Sequence, residues 1–181
     1  MKKELLLILL LIFGLNIQKI SAQKHDEIQK ILYFNPEVEP DVEEIKEPTN
    51  FAFFSAVSDN TSLNRRTKMI KTETQLSFET NDQQTISDYA LNNDADFVTV
   101  SKVKYFKVGL GKYVFSNQVV VSMKLFDKTG KLITESSYDT YKKNMRLLGS
   151  AENSIKIGTA GALKTIQKNL RKLKTTAENG I

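Results

Sequence analysis

Residues 97–138 carry the feature that most narrows the fold: three runs of strand-forming residues separated by turn chemistry. The first run, 97–108, is dominated by Val, Tyr and Phe. Its apolar positions start at Val98 and Val100 and continue at Val103 and Tyr105, which predicts either a bulge or early burial on both faces. Gly109, Leu110 and Gly111 make the connection. In the second run Tyr113, Phe115, Val119, Val121, Met123 and Leu125 share one face, with Asn117 interrupting the series. Asp127-Lys128-Thr129-Gly130 then supplies a hairpin turn, because Asp bonds to the backbone ahead of it and Gly accepts positive φ. Leu132, Thr134, Ser136 and Tyr138 continue into the partner strand. The expectation is a three-stranded antiparallel meander.

A sheet with one apolar face needs a cover, and the C-terminal segment offers one. Ile155, Thr159, Ala162, Leu163, Ile166, Leu170 and Leu173 fall on one stripe of a helix over 151–174. Gly149 and Ser150 supply its break and cap. Gly158 and Gly161 weaken it by about 1 kcal/mol each relative to Ala, which leaves two readings open: a close approach to the sheet or a tolerated flaw. Its later turns carry Lys164, Lys168, Arg171, Lys172 and Lys174, where positive charge suits the helix dipole.

Upstream, the run Phe51 to Val57 reads as a short buried strand that opens the globular part. For 61–80 the expectation is a helix using Leu63, Met69 and Ile70, then a strand using Thr74, Leu76 and Phe78. A helix over 82–92 follows, with Asn81-Asp82 offering its N-cap, Ile86, Tyr89 and Ala90 at helical spacing, Leu91 as a further candidate, and Asn92-Asn93 closing it. The fold class is therefore α/β of the α+β kind: one mixed sheet with a C-terminal antiparallel meander, packed against helices. A single domain spans 51–174, with 175–181 as a flexible tail.

The N-terminus reads as an export signal over 1–22. Lys2 and Lys3 precede an apolar run from Leu5 to Leu15, and Ile20-Ser21-Ala22 ends it. The run is shorter than the ~20 residues needed to span a bilayer, so the expected product starts at Gln23 and does not cross a membrane. It is placed in the periplasm or outside the cell. The chain contains no Cys, so neither a disulfide nor a lipid-modified Cys is expected. Residues 23–50 hold all three prolines and many carboxylates, and read as an acidic arm that docks through Ile31, Leu32, Tyr33 and Phe34. Residues 24–48 contain eight acids and three bases, whereas 141–181 contain nine bases and two acids.

A helix leading to Asn93-Asp94-Ala95-Asp96-Phe97-Val98, a long strand, a strand closing on Leu125-Phe126-Asp127-Lys128-Thr129-Gly130, and a final amphipathic helix together resemble a known pattern. It is the small α/β domain of bacterial envelope proteins that includes the penicillin-binding-protein activator lipoproteins, the curli secretion lipoprotein and the TolB N-terminal domain. The resemblance covers about 51–174. It implies a binding or structural role and transfers no active site. Most of those proteins carry an anchoring Cys that this chain lacks, and Asn92-Asn93 stands where the family often has Gly.

Specific chemistries are narrow or closed. Cys nucleophiles are excluded, and a Ser-His-acid triad would need His25, the sole histidine, in the N-terminal arm. Gly109-Leu110-Gly111-Lys112 joins two strands and opens no helix, so it is a turn rather than a phosphate loop. Asp94 and Asp96 are expected to cap the loop into the strand rather than bind a metal. No catalytic, cofactor or metal residue is expected, and no cofactor. The candidate partner-binding residues are Ile31, Leu32, Tyr33, Phe34, Arg65, Arg66, Lys168, Arg171 and Lys172. The partners expected are an envelope protein or the cell-wall machinery, with self-association as a second class and nucleic acid disfavoured. Two other readings stay open: a small hydrolase or metal enzyme using carboxylates, and a lipid or small-ligand carrier.

Overall fold

The computed structural model of the chain describes residues 28–63, 66–107, 115–144 and 149–179. The expected signal over 1–22, the connection at Gly109-Leu110-Gly111 and the candidate Arg65 lie outside them. Six strands form one mixed sheet: β1 (Gln29–Asn35), β2 (Glu37–Glu39), β3 (Thr67–Gln75), β4 (Phe97–Lys107), β5 (Phe115–Asp127) and β6 (Leu132–Asp139). The helices are α1 (Glu43–Leu63), α2 (Gln83–Asn92), the short α3 (Thr140–Asn144) and α4 (Ala151–Asn179). The order across the sheet is β3-β1-β4-β5-β6, and β2 continues the β1 side by pairing with β4. β1, β2 and β3 run parallel to their neighbours, and β4-β5-β6 is the antiparallel meander.

The meander follows its sequence cues closely. Val119, Val121, Met123 and Leu125 are all buried on one face of β5. Asp127 Oδ1 accepts from the amides of Thr129 (2.8 Å) and Lys131 (3.1 Å) and from the Thr129 hydroxyl (2.6 Å). Gly130 has φ of +79°, and a Cβ there would lie 2.0 Å from the carbonyl oxygen of Gln83. In β4, Val98 and Thr99 are both buried, as are Val100 and Ser101, and the register to β5 is unbroken from Phe97 to Tyr105. The early part of β4 is thus buried on both faces, with no bulge between Val98 and Val103.

Helices α1 and α4 cover one face. Ile155, Ala162, Leu163 and Ile166 of α4 pack with Ala52, Phe53 and Val57 of α1 and with Tyr33, Val103 and Tyr105 from the sheet. Burying each large aliphatic side chain contributes about 1.5–3 kcal/mol. On the opposite face, α2 sets Ile86 and Ala90 over Leu32, Phe34, Val98 and Val100. Asp82 caps α2 through the Thr85 amide at 2.8 Å.

The N-terminal third departs from the sequence reading. Residues 29–35, expected as part of an arm, form an interior strand, 37–39 form a short edge strand beside β4, and the acidic stretch from Glu43 starts α1. Phe51 to Val57 lie within α1 and not in a strand. A short apolar run fits either element, and its period separates them poorly. Here Ala52, Phe53, Phe54, Ala56 and Val57 are buried while Phe51 is 70% exposed. Pro48 sits inside α1 on its exposed side, where it forfeits one helical hydrogen bond without ending the helix. Thr67–Gln75 is a strand, with Met69 packed on one core and Ile70 on the other, so neither belongs to a helix. At the far end α4 continues to Asn179, so 175–179 extend the helix where a tail was expected.

The glycines of α4 have a packing reason. A Cβ on Gly158 would lie 2.6 Å from Val121 Cγ2, and one on Gly161 would lie 2.1 Å from the Tyr138 ring. Gly161→Ala should therefore destabilise the domain by about 1–3 kcal/mol despite its better helix propensity. Urea unfolding checks this, and an unchanged or higher midpoint would show that the helix–sheet contact has slack.

Candidate interaction surface

Helix α2 covers only half of its sheet face. Even-numbered positions of β4 change from Val98 and Val100 beneath α2 to Lys102 and Lys104 beyond it. On β5 the same face changes from Phe126, which is buried, to Lys124 and Ser122. Among the described residues no helix lies over this second half. The face there is a charged ladder across the parallel β2–β4 pair.

The ladder is set by strand register. Glu37 stands opposite Lys102 and Glu39 opposite Lys104 across the β2–β4 pair. Lys102 Nζ lies 3.0 Å from Glu37 Oε1 and 3.0 Å from Glu39 Oε2, and Lys104 Nζ lies 2.7 Å from Glu39 Oε1. Glu37 Oε2 accepts from the Phe78 amide at 2.8 Å. Lys124 Nζ donates to the Phe78 carbonyl at 2.8 Å and sits 4.4 Å from the ring centroid, a cation–π contact. Phe78 is thereby held between the core beneath α2 and the ladder. Ser122 Oγ and Ser137 Oγ are 3.1 Å apart, which carries the polar surface on to β6. At its margin the Phe106 and Tyr141 rings lie 6.4 Å apart. An open groove of about 400 Å³ runs beside β2, lined by Glu37, Val38, Glu39, Asp41 and residues 75–77.

Two groups of the ladder, Glu39 and Lys102, are biased toward their ionised forms. Hydrogen bonds from Lys104 and Lys102 hold the Glu39 carboxyl below its ordinary value. The hydrogen bond to Glu39, outweighing partial desolvation, raises Lys102. Side chains biased toward opposite charge states recognise a partner better than they shuttle a proton.

The residues singled out from sequence sit elsewhere. Leu32 and Phe34 are fully buried under α2, Tyr33 is 2% exposed under α1 and α4, and Ile31 packs partly against that same core. They stand in an interior strand, so their burial corrects the expectation that they face a partner. Burial pushes the Tyr33 hydroxyl well up, with the Thr99 hydrogen bond offsetting only part of that. Arg66 lies in the exposed turn before β3, and its carbonyl accepts from the Gln29 amide at 2.8 Å. Lys168, Arg171 and Lys172 are exposed on α4. The structure therefore does not gather the candidates into one site. The ladder was missed, although the switch from Val98 and Val100 to Lys102 and Lys104 on one strand face was its signal.

The carboxylates weighed for chemistry are occupied by the chain itself. Asp96 accepts from the Lys30 amide at 2.8 Å, and Asp94 pairs with the Lys30 ammonium. Asp139 accepts from the Lys142 amide at 3.0 Å, at the opposite end of β6 from Asp127. Desolvation opposes ionisation of Asp127, yet its bonds from Thr129 and Lys131 hold it below the usual range. Among the described residues no group of three or more ligand-type side chains is placed to hold a metal ion. One cavity, between the sheet and the ends of α1 and α4, measures about 70 Å³, below the ~300–1,000 Å³ of small-molecule sites, and a second concavity of about 370 Å³ beside Asp96, Phe97 and Asp127 is open to solvent. No described helix is long and apolar enough to cross a membrane.

No protein-family model matches the chain. No curated protein matches it either. Solved structures with a similar chain path include the PelC dodecamer from Paraburkholderia phytofirmans, 8% identical, with a TM-score of 0.49 over 76% of this chain and 86% of that one. The LpoB C-terminal domain from Escherichia coli is 12% identical, with a TM-score of 0.34 over 68% of this chain and 90% of that one. Lipoprotein GNA1162 from Neisseria meningitidis is 12% identical, with a TM-score of 0.37 over 77% and 99%. At identities of 8–12% these are similarities of chain path alone.

The ladder makes a pH prediction. In the folded chain Glu39 resists protonation, so folding stability is full above the ordinary carboxylate value of 4.5 and drains as pH falls through the lower folded value. Glu39→Gln should flatten that acid limb, read as urea midpoints across the acid range. An acid limb of undiminished slope would remove Glu39 from the ladder's energetics.

Proposed function

We propose that this chain is an exported, non-catalytic module of the cell envelope that binds another envelope protein or the cell-wall machinery through the half of its sheet face that no described helix covers. The observation that carries this reading is the ladder of Glu37, Glu39, Lys102 and Lys104, with Lys124 beyond it, on a sheet face with no described helix above. A water-facing sheet needs no such ordered arrangement of paired charges. A polar protein surface does, because pre-set charges favour correct register and exclude wrong partners. The signal-like segment over 1–22 supports export, and the biased protonation states of Glu39 and Lys102 support recognition over acid–base chemistry.

The test is crosslinking in cells. A photoreactive side chain at Ser137, exposed on the open face, should yield a discrete adduct with a second envelope protein. The same group at Asp88, exposed on α2, should yield none. The recovered chain should begin at Gln23. Equal labelling from both positions, or none from either, would count against the open face as the binding surface.

A further inference from the structure

The opposite, helical layer carries a second surface, independent of the ladder. Helices α1 and α4 lie side by side and run in the same direction. Thr49 bonds to Tyr105 at 2.7 Å near the start of α1, and Asn117 Nδ2 donates to the Gly149 carbonyl just before α4. Further along, Gln167 Nε2 donates to Asn60 Oδ1 at 2.8 Å. α1 lies on the β3 side of the layer, and α4 lies over β5 and β6.

Their outward stripes have opposite charge. On α1, Glu44, Glu47 and Phe51 fall at i, i+3 and i+7 and are all exposed. Phe51, at 70% exposure, is an aromatic side chain mid-helix with acids one turn before it. On α4, Lys164 and Lys168 lie at i and i+4, are exposed, and continue into Arg171 and Lys172. No acid follows Glu152 on α4 until Glu178. The first-turn acids of α1 suit its helix dipole, but α4 has no base in its last turn, so the dipole explains neither its lysines nor an exposed Phe beside the acids.

We propose that these two stripes are the halves of one contact between copies of this chain: the basic stripe of α4 on one copy seats against Glu44, Glu47 and Phe51 of the next. Charge complementarity selects the second copy as the occupant, since one surface carries what the other lacks. The lysines pair with the carboxylates, and an ammonium over the Phe51 ring adds a cation–π contact. The two stripes lie on neighbouring helices, so the contact joins unlike patches of the two copies.

Sedimentation of the purified exported chain over a range of concentrations tests this. Association should be strongest at low ionic strength and should weaken as the Debye length shortens from about 30 Å at 0.01 M to about 8 Å at 0.15 M salt. Lys164→Glu with Lys168→Glu should weaken self-association by about tenfold or more, and so should Glu44→Lys with Glu47→Lys. An equimolar mixture of the two variants should associate again, because each reversed stripe then meets its complement. Phe51→Ser should weaken association with no change in its salt dependence. Circular dichroism melts establish that each variant is folded, and all substituted positions are exposed. A chain that stays monomeric at low salt, or variants whose mixture fails to recover association, would overturn the proposal.

Discussion

Everything in this domain depends on β4 being satisfied along both edges and both faces at once. One edge takes β1 and then β2, the other takes β5, and over its first half side chains are buried above and below. A strand in that position has little freedom. Moving its register by one residue would carry Val98 and Val100 to the α1–α4 side and bring Lys102 and Lys104 into a dry core. The helices on either side are placed by that choice, and so is the ladder.

The ladder then shows how a charged surface is made orderly at small cost. Glu37, Glu39, Lys102 and Lys104 sit on strands whose backbone is already fixed, so little conformational freedom remains to be lost when the charges pair. Isolated surface ion pairs contribute about 0–1 kcal/mol, and these are best regarded as setting shape and charge pattern. Their ordering is a property the fold supplies before any partner arrives.

The C-terminal half of the fold was legible in the sequence because its signals are local. The Asp127–Gly130 turn, the one-faced alternation in β5 and the stripe on α4 each depend on neighbours in sequence. The N-terminal half depended on partners far away. Ile31 to Phe34 form a strand because β3 and β4 flank them, and three prolines with clustered acids masked that. Pro48 is tolerated where α1 faces water, and Phe51 is exposed where an apolar run suggested burial. The surface was harder still. An alternation that turns from Val to Lys on one strand face marks the edge of a covering helix, yet it reads as irregularity until the covering helix is known.

The place of β1 has a consequence for how the chain reaches its native state. This strand is made early, yet its flanking strands come later, and the bond from Lys30 to Asp96 spans 66 positions. Until β4 emerges, the sheet has no centre, and the N-terminal segment has only parallel pairing with β3 available to it. Long-range pairing of this kind is slow to form. The step that closes the sheet therefore waits for the downstream strands. β1 is thus the first strand made and among the last to be fully paired.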